Sequence, residues 1–174
     1  MPTTTAAPIS GTRISFGPVT FTLPTGWAQQ STGDNYLCAA PPMDVPPGDI
    51  VGLDCHGVVF LSNPDHPGPV LPAFQPDQPG DWYAATDVQP CPDHAYSASA
   101  PVNGVVVGTA PPLERGLQPV GDHRGNYDKW LATCESGYQF YPQNWWIPVT
   151  HLLIKDYMSH PETPGILASV SFGG

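Results

Sequence analysis

The chain has 174 residues, enough for one domain with a sizeable core, and 40% of them are hydrophobic, a content that excludes a disordered chain. Its 15 acidic residues outnumber 5 basic ones, for a formal net charge of −10. A chain with so few cations does not neutralise a phosphate backbone, so we expect no nucleic-acid partner. No apolar run approaches the roughly 18 residues that span a bilayer, so we also expect no transmembrane segment.

The chain begins with a lead-in. Residues 1–10 are rich in Thr, Ala and Pro, which predicts a flexible segment, and we assign residues 11–174 to a single globular, disulfide-stapled domain. Residues before about Ile9 are expected to make few contacts. The lead-in contains neither basic residues nor an apolar stretch, so it is not a signal peptide as it stands.

Strands are predicted to dominate the first two thirds, because 24 Pro and 18 Gly interrupt helical segments. Val19, Phe21 and Leu23 alternate with two Thr residues, which is typical of a strand with one face on the core. The other predicted strands here are residues 36–39, 51–61 and 102–109. The Pro-rich residues 40–48 and 62–92 are predicted as loops, the second of them long and ordered over the sheet.

The C-terminal third has the most regular pattern. Residues 127–134 and 138–141 are predicted to form a hairpin, and residues 150–157 a further strand. Ser159 is a suitable N-cap for one short helix over residues 162–169. This order of elements indicates the α+β or mostly β class, with an antiparallel sheet, long Pro-rich loops and little helix.

The four cysteines predict disulfides. Cys38, Cys55, Cys91 and Cys134 form an even set without a CxxC pair, which disfavours zinc ribbons and thioredoxin-like sites. We predict that Cys38 pairs with Cys55, because the two lie on successive strands, and that Cys91 pairs with Cys134. Disulfides persist in oxidising compartments, so they indicate a secreted or cell-surface protein.

Three short stretches resemble a known group of proteins. They are FTLPTGW at positions 21–27, WWIP at 145–148 and ILAS at 166–169. They are similar to uncharacterised secreted proteins of actinobacteria, which are distantly similar to the Mog1/PsbP-like fold, an antiparallel sheet flanked by helices. The proline-broken middle of this chain departs from that fold, which needs longer helices. The resemblance implies a binding or accessory role and transfers no catalytic residue.

Metal sites are weak candidates. Residues 54–56 (Asp, Cys, His) and 91–94 (Cys, Pro, Asp, His) combine thiol and imidazole groups, but paired thiols do not ligate zinc. Asp44, Asp49 and Asp54 lack the spacing of a calcium-binding EF-hand loop. We therefore predict no metal and no cofactor.

A hydrolase is an alternative. Asp122 with His123, or Asp54 with His56, would serve beside one of many serines. The sequence contains no G-x-S-x-G, H-E-x-x-H, P-loop or G-x-G-x-x-G motif. Triads can form from distant residues, so the motif search leaves this alternative open, but it names no catalytic residue.

Carbohydrate binding is the other alternative, because sugars stack on aromatic rings and pair with amides. The candidate residues are Trp145, Trp146, Tyr138, Tyr141, Asn144 and Gln143. Consecutive side chains of an extended segment point to opposite faces, so we predict one Trp ring in the core and the other at the surface. Packing alone is the competing explanation for both rings, since Trp is highly buried on average.

These observations together predict a secreted or cell-surface binding or accessory module with no recognisable catalytic centre. Its partner is a protein or a glycan, and the sequence does not choose between them. A carbohydrate-binding domain and an unrecognised hydrolase remain the alternatives.

Overall fold

The computed structural model describes residues 6–42, 55, 57–62, 112–135 and 137–173. Its elements, in chain order, are β1 (Gly11–Phe16), β2 (Val19–Pro24), β3 (Ala28–Thr32), β4 (Tyr36–Ala40), β5 (Val58–Ser62), β6 (Glu114–Val120), β7 (His123–Lys129), β8 (Ala132–Thr133), β9 (Gln139–Phe140), β10 (Gln143–Ile147), β11 (Leu152–Asp156), α1 (Thr163–Ala168) and β12 (Ser171–Phe172). None of the helical residues in these ranges forms a segment long and apolar enough to cross a bilayer.

The strands form two main antiparallel sheets. The larger has seven strands in the order β3-β4-β5-β11-β10-β7-β6, and the smaller has the order β1-β2-β12. Strands β8 and β9 form a separate small hairpin. The predicted fold class is therefore confirmed as an antiparallel, β-rich fold with one short helix. The Pro-rich loop over residues 63–92 and the strand over residues 102–109 lie outside the described residues.

The smaller sheet begins with the β-hairpin of β1 and β2. Gly17 closes its turn with a φ of 52°, a conformation that favours glycine. On β2, Val19, Phe21 and Leu23 are buried while Thr20 and Thr22 are half-exposed, as the alternation predicts. The apolar side chains of β2 thus form one wall of the core.

The main core lies between the smaller sheet and one face of the larger sheet, which we call the inner face. One row of directly paired residues crosses this inner face in the order Leu37, Phe60, Ile154, Trp145, Tyr127 and Gly116. Phe60 stacks on Phe21 of the smaller sheet, with ring centroids 4.2 Å apart and ring planes 10° apart. This stack joins the two sheets at the centre of the core.

The opposite face of the larger sheet, the outer face, is also buried at its centre. All five residues of β5 and all five of β11 are buried, on both faces. Cys38, Leu153 and Trp146 belong to a second apolar cluster on the outer face. Strands β5 and β11 therefore form the inside of the domain, which agrees with their nearly continuous apolar sequences.

The predicted helix is present but differs at its start. It covers Thr163–Ala168, with Pro164 in its first turn and Glu162 as N-cap, rather than the predicted Ser159. Ser159 instead has a φ of 51° and donates its hydroxyl hydrogen to the Tyr141 carbonyl oxygen. The connection from β11 to the helix, residues 157–162, is stabilised by Asp156, described below.

The predicted Cys38–Cys55 disulfide is present. Cys38 lies on β4, whereas Cys55 precedes β5, which begins at Val58 and not at residue 51. The second predicted pairing involves Cys91, which lies outside the described residues, while Cys134 is buried in the small cluster around Trp130.

The described part of the lead-in, residues 6–10, contacts the rest of the domain. Within its described part, Ile9 packs against the main core, and the Ser10 carbonyl accepts a hydrogen bond from the Thr25 backbone N–H at 2.9 Å. Ile9 and the Ala7 carbonyl also lie against Gly165 of α1. Residues 6–10 are thus part of the folded unit.

Candidate functional site

A cleft of about 590 Å³ lies between α1 and the inner face of β6, β7 and β10. Its walls are aromatic, amide and small apolar side chains, contributed by Ala6, Gln118, Pro119, Gly121, Tyr127, Gln143, Trp145, Thr163, Pro164, Leu167 and Ala168. A volume of this size is typical of sites for small ligands. The cleft is the principal candidate site among the residues that the structure describes.

Three side chains on the sheet wall of the cleft contact one another in sequence. Tyr127 and Trp145 are directly paired on neighbouring strands, and their ring centroids are 5.3 Å apart. The Trp145 indole N–H donates to the Gln118 side-chain oxygen at 3.1 Å. This hydrogen bond fixes the Trp145 ring and leaves the Gln118 amide NH₂ as a possible donor to a ligand.

The cleft exists because the elements around it carry little volume. Ala6 and Gly121 line the cleft and have a small side chain or none. Helix α1 has only six residues, and Pro164 and Ala168 on its exposed side have short side chains. Small residues on both sides therefore leave the space unfilled.

The described residues of the lining carry no charge at neutral pH. They include no Asp, Glu, Lys, Arg or His, and Tyr127 has the one ionisable side chain among them. Burial first, and then the neighbouring Glu114 carboxylate, raise the pKa of Tyr127 above its ordinary value. The phenol therefore stays protonated and acts as a neutral polar group at the cleft.

A buried carboxylate holds α1 in position beside the cleft. Asp156, fully buried at the end of β11, accepts hydrogen bonds from the backbone N–H groups of Met158 and His160 at 3.1 and 2.8 Å. It also accepts the Thr163 hydroxyl at 2.6 Å and lies 2.7 Å from Nδ1 of His160. Because Thr163 is the first residue of α1, these bonds tie the helix to the larger sheet.

The structure divides the predicted sugar-binding residues between different places. Trp145 is 2% exposed on the inner face and Trp146 is 8% exposed on the outer face. The predicted opposite orientation is confirmed, but the prediction that one ring lies at the surface is wrong, because both faces of β10 are covered. A pair of buried rings offers no surface platform for a sugar.

The remaining members of that set do not assemble into a site. Asn144 is buried on the outer face, while Gln143 lines the cleft on the inner face. Tyr138 is half-buried and packs against the cluster of Trp130, and Tyr141 is 40% exposed, with the Lys129 ammonium 5.2 Å from its ring centre. Four of the six predicted residues thus lie on β10, and the strand places them on two different faces of the sheet.

A row of polar side chains on the outer face was not anticipated from the sequence. Arg115, Asp128, Asn144 and Lys155 are paired in that order across four neighbouring strands. Nε and Nη2 of Arg115 donate hydrogen bonds to the two carboxylate oxygens of Asp128, at 2.6 and 3.3 Å. Lys155 is 4% exposed, and this burial lowers its pKa to about 8. Only the strand register brings these residues together.

The predicted hydrolase pair Asp122 and His123 does form a contact. Nδ1 of His123 lies 2.7 Å from an Asp122 oxygen, and this hydrogen bond lowers the pKa of the Asp122 carboxyl. The pair lies in the turn between β6 and β7, where the Asp122 side chain is largely exposed and the His123 ring packs on Phe172, 4.0 Å away. The other pair, Asp54 with His56, lies outside the described residues.

No group of three or more His, Cys, Asp or Glu side chains suited to a metal ion occurs in the described parts of the chain. The stretches around His56 and His94 that combine Cys, Asp and His lie mostly outside those parts, as do Asp44, Asp49 and Asp54.

Comparison with known proteins gives no further assignment. No protein-family model matches the chain, and neither a curated protein nor a solved structure matches it significantly. The similarity to secreted actinobacterial proteins therefore stays a prediction from the three short stretches, and the cleft must be interpreted from its own chemistry.

Proposed function

We propose that the chain is a secreted or cell-surface binding module that holds an uncharged ligand in the cleft beside α1. The observation that carries this proposal is the composition of the cleft wall. Aromatic rings supply apolar contact area, and Gln118 and Gln143 supply donors and acceptors, without a charged side chain among them. This combination is typical of sites that orient a neutral molecule.

The uncharged side chains of the described lining residues favour a neutral ligand. A charged ligand group that enters a partly buried site loses hydration, and only an opposite charge or several strong hydrogen bonds compensate for it. The cleft residues offer amides, a phenol and a hydroxyl, which match neutral polar groups. A neutral ligand with a flat apolar surface meets the least desolvation cost there.

The location outside the cell is supported by the cysteines and the surface charge. The Cys38–Cys55 disulfide is buried, and such bonds persist mainly in oxidising compartments. The net charge of −10 disfavours binding to polyanions, which agrees with a neutral ligand.

The test is a screen of the whole protein with uncharged small molecules, observed by NMR on the indole N–H of Trp145. We expect saturable shifts of this signal, and we expect Ala168→Phe to weaken binding at least tenfold by filling the cleft. Val149→Ser is the matched control, because Val149 is 80% exposed in the turn after β10, away from the cleft lining. Binding that is unchanged in Ala168→Phe, or an absence of any neutral ligand, would contradict the proposal.

A further inference from the structure

The chain's own lead-in borders the cleft at Ala6 and then packs on the adjoining side of α1. Ala6 lines the cleft, and three residues later the Ile9 side chain packs on α1 and the main core. Between them, Ala7 and Pro8 are exposed. Half-burial at positions three residues apart fits a polyproline II conformation, in which residues i and i+3 lie on the same side.

Helix α1 is shaped for the close approach of this segment. A Cβ on Gly165 would overlap the Ile9 Cγ2 atom and lie 3.3 Å from the Ala7 carbonyl oxygen. Glycine is unfavourable in a helix interior, so its presence there is offset by the contact that it permits. The side of α1 next to the cleft thus accepts the backbone and an apolar side chain of an extended segment.

The chemistry of the cleft fits the same kind of ligand. Extended peptides expose backbone N–H and C=O groups, which side-chain amides such as those of Gln118 and Gln143 can pair with. Aromatic walls such as Tyr127 and Trp145 suit proline-rich peptides, which bind in a pre-formed conformation at low entropic cost. The uncharged lining disfavours acidic and basic peptides.

We propose that the ligand of the cleft is an extended, uncharged peptide segment rich in small residues and proline, and that residues 6–9 of the chain occupy part of the same groove. This inference rests on the proposed function, because it names the ligand class of that same cleft. The lead-in then competes with an external peptide. An intramolecular segment acts at a millimolar effective concentration, so the competition is substantial.

The experiment uses the full chain and the peptide acetyl-TTAAPIS-amide, which has the sequence of residues 4–10. We expect the peptide to shift the Trp145 indole N–H signal with a millimolar Kd. In Ile9→Ser the lead-in docks less well, so we expect at least fivefold tighter binding of the same peptide. The control peptide acetyl-TTAAPES-amide replaces the apolar anchor with a charge and should bind at least tenfold more weakly. Thermal unfolding of the variant confirms that it remains folded.

The outcomes separate this inference from the function on which it rests. If neutral small molecules bind while the peptide shifts no signal in either protein, the peptide class is wrong and the binding function stands. Equal peptide affinity for the wild type and Ile9→Ser would overturn the shared groove. If neither the small molecules nor the peptide bind, both proposals fail.

Discussion

The two halves of the inner face differ in what covers them. Leu37, Phe60 and Ile154 lie under the smaller sheet, and Phe60 is fully buried against Phe21. Trp145 and Tyr127 continue the same row but face the cleft beside α1. One continuous row of side chains thus passes from a closed core to the wall of a site. Whether a part of this row lies in the closed core or lines the cleft depends on the element packed over it, the smaller sheet or α1, and not on the strand residues themselves.

The size of the cover explains the difference. Strand β2 places Val19, Phe21 and Leu23 against the first half at close spacing. Helix α1 has six residues, of which Ile166 and Leu167 are the large apolar ones that it buries. A short helix at the edge of a seven-stranded sheet leaves the last strands only partly covered.

The largest loss of stability is expected in the half of the inner face that the smaller sheet covers. Phe60→Ala removes a ring that is fully buried between the sheets, and we expect a loss of about 4 kcal/mol in the free energy of unfolding, because a sealed cavity remains. Urea denaturation measures this loss. A loss below about 2 kcal/mol would show that the closed half relaxes around the gap, and would weaken the contrast with the cleft.

The second prediction concerns Asp156, whose hydrogen bonds hold α1 against the larger sheet. Replacing it with Ala leaves two backbone N–H groups and the Thr163 hydroxyl without their acceptor, and we expect a loss of about 3 kcal/mol. Asp156→Asn retains an acceptor oxygen and should lose less. Chemical denaturation compares the two variants. Equal losses would indicate that the carboxylate charge, rather than the hydrogen-bond geometry, holds α1.

In the half of the inner face beside the cleft, shortening a buried side chain should cost less stability. Leu167 is 5% exposed but lines the cleft, so Leu167→Ala enlarges an existing space instead of creating a sealed one. We expect a loss of about 2 kcal/mol, near the lower limit for such replacements. The same denaturation series measures it. A loss as large as that of Phe60→Ala would mean that the two halves are packed alike.

The smallest expected change in stability concerns Lys155 on the outer face and depends on pH. Burial lowers the pKa of Lys155 to about 8, so above this pH the unfolded chain binds more protons than the folded one. Stability then rises with pH, by about 1 kcal/mol between pH 7 and pH 9 relative to Lys155→Met, which lacks the titrating group. Parallel unfolding curves at the two pH values measure the difference. A constant gap between the two proteins would refute the lowered pKa.

The sequence predicts local features well and long-range ones poorly. The alternation in β2 and the pairing of Cys38 with Cys55, which are 17 residues apart, depend on residues close in the sequence, and both are confirmed. Strand β6 escaped prediction, because Gly116 and Pro119 interrupt its pattern and its pairing with β7 supplies the order. The fold class was predictable, since it depends on composition and on turn residues.

The candidate site was predictable only in part. Alternation places Trp145 and Trp146 on opposite faces, but whether a face is covered depends on elements that are distant in the chain. The cleft combines α1, the lead-in and three strands, and the polar row of Arg115, Asp128, Asn144 and Lys155 depends on the register across four strands. Neither corresponds to a sequence motif, since most of their residues come from elements that are distant in the chain.

The order of strands in the larger sheet has a consequence for folding. Near its centre, β5 pairs with β11, so Phe60 lies opposite Ile154 from a distant part of the chain. In the smaller sheet, β2 likewise pairs with β12. The first five strands therefore cannot complete their core until the last ones have been synthesised. Such non-local pairing makes folding slow, because residues far apart in the chain must meet before the contacts form. For the secreted protein proposed above, a chain that stays unfolded until synthesis is nearly complete can still pass through a narrow export channel.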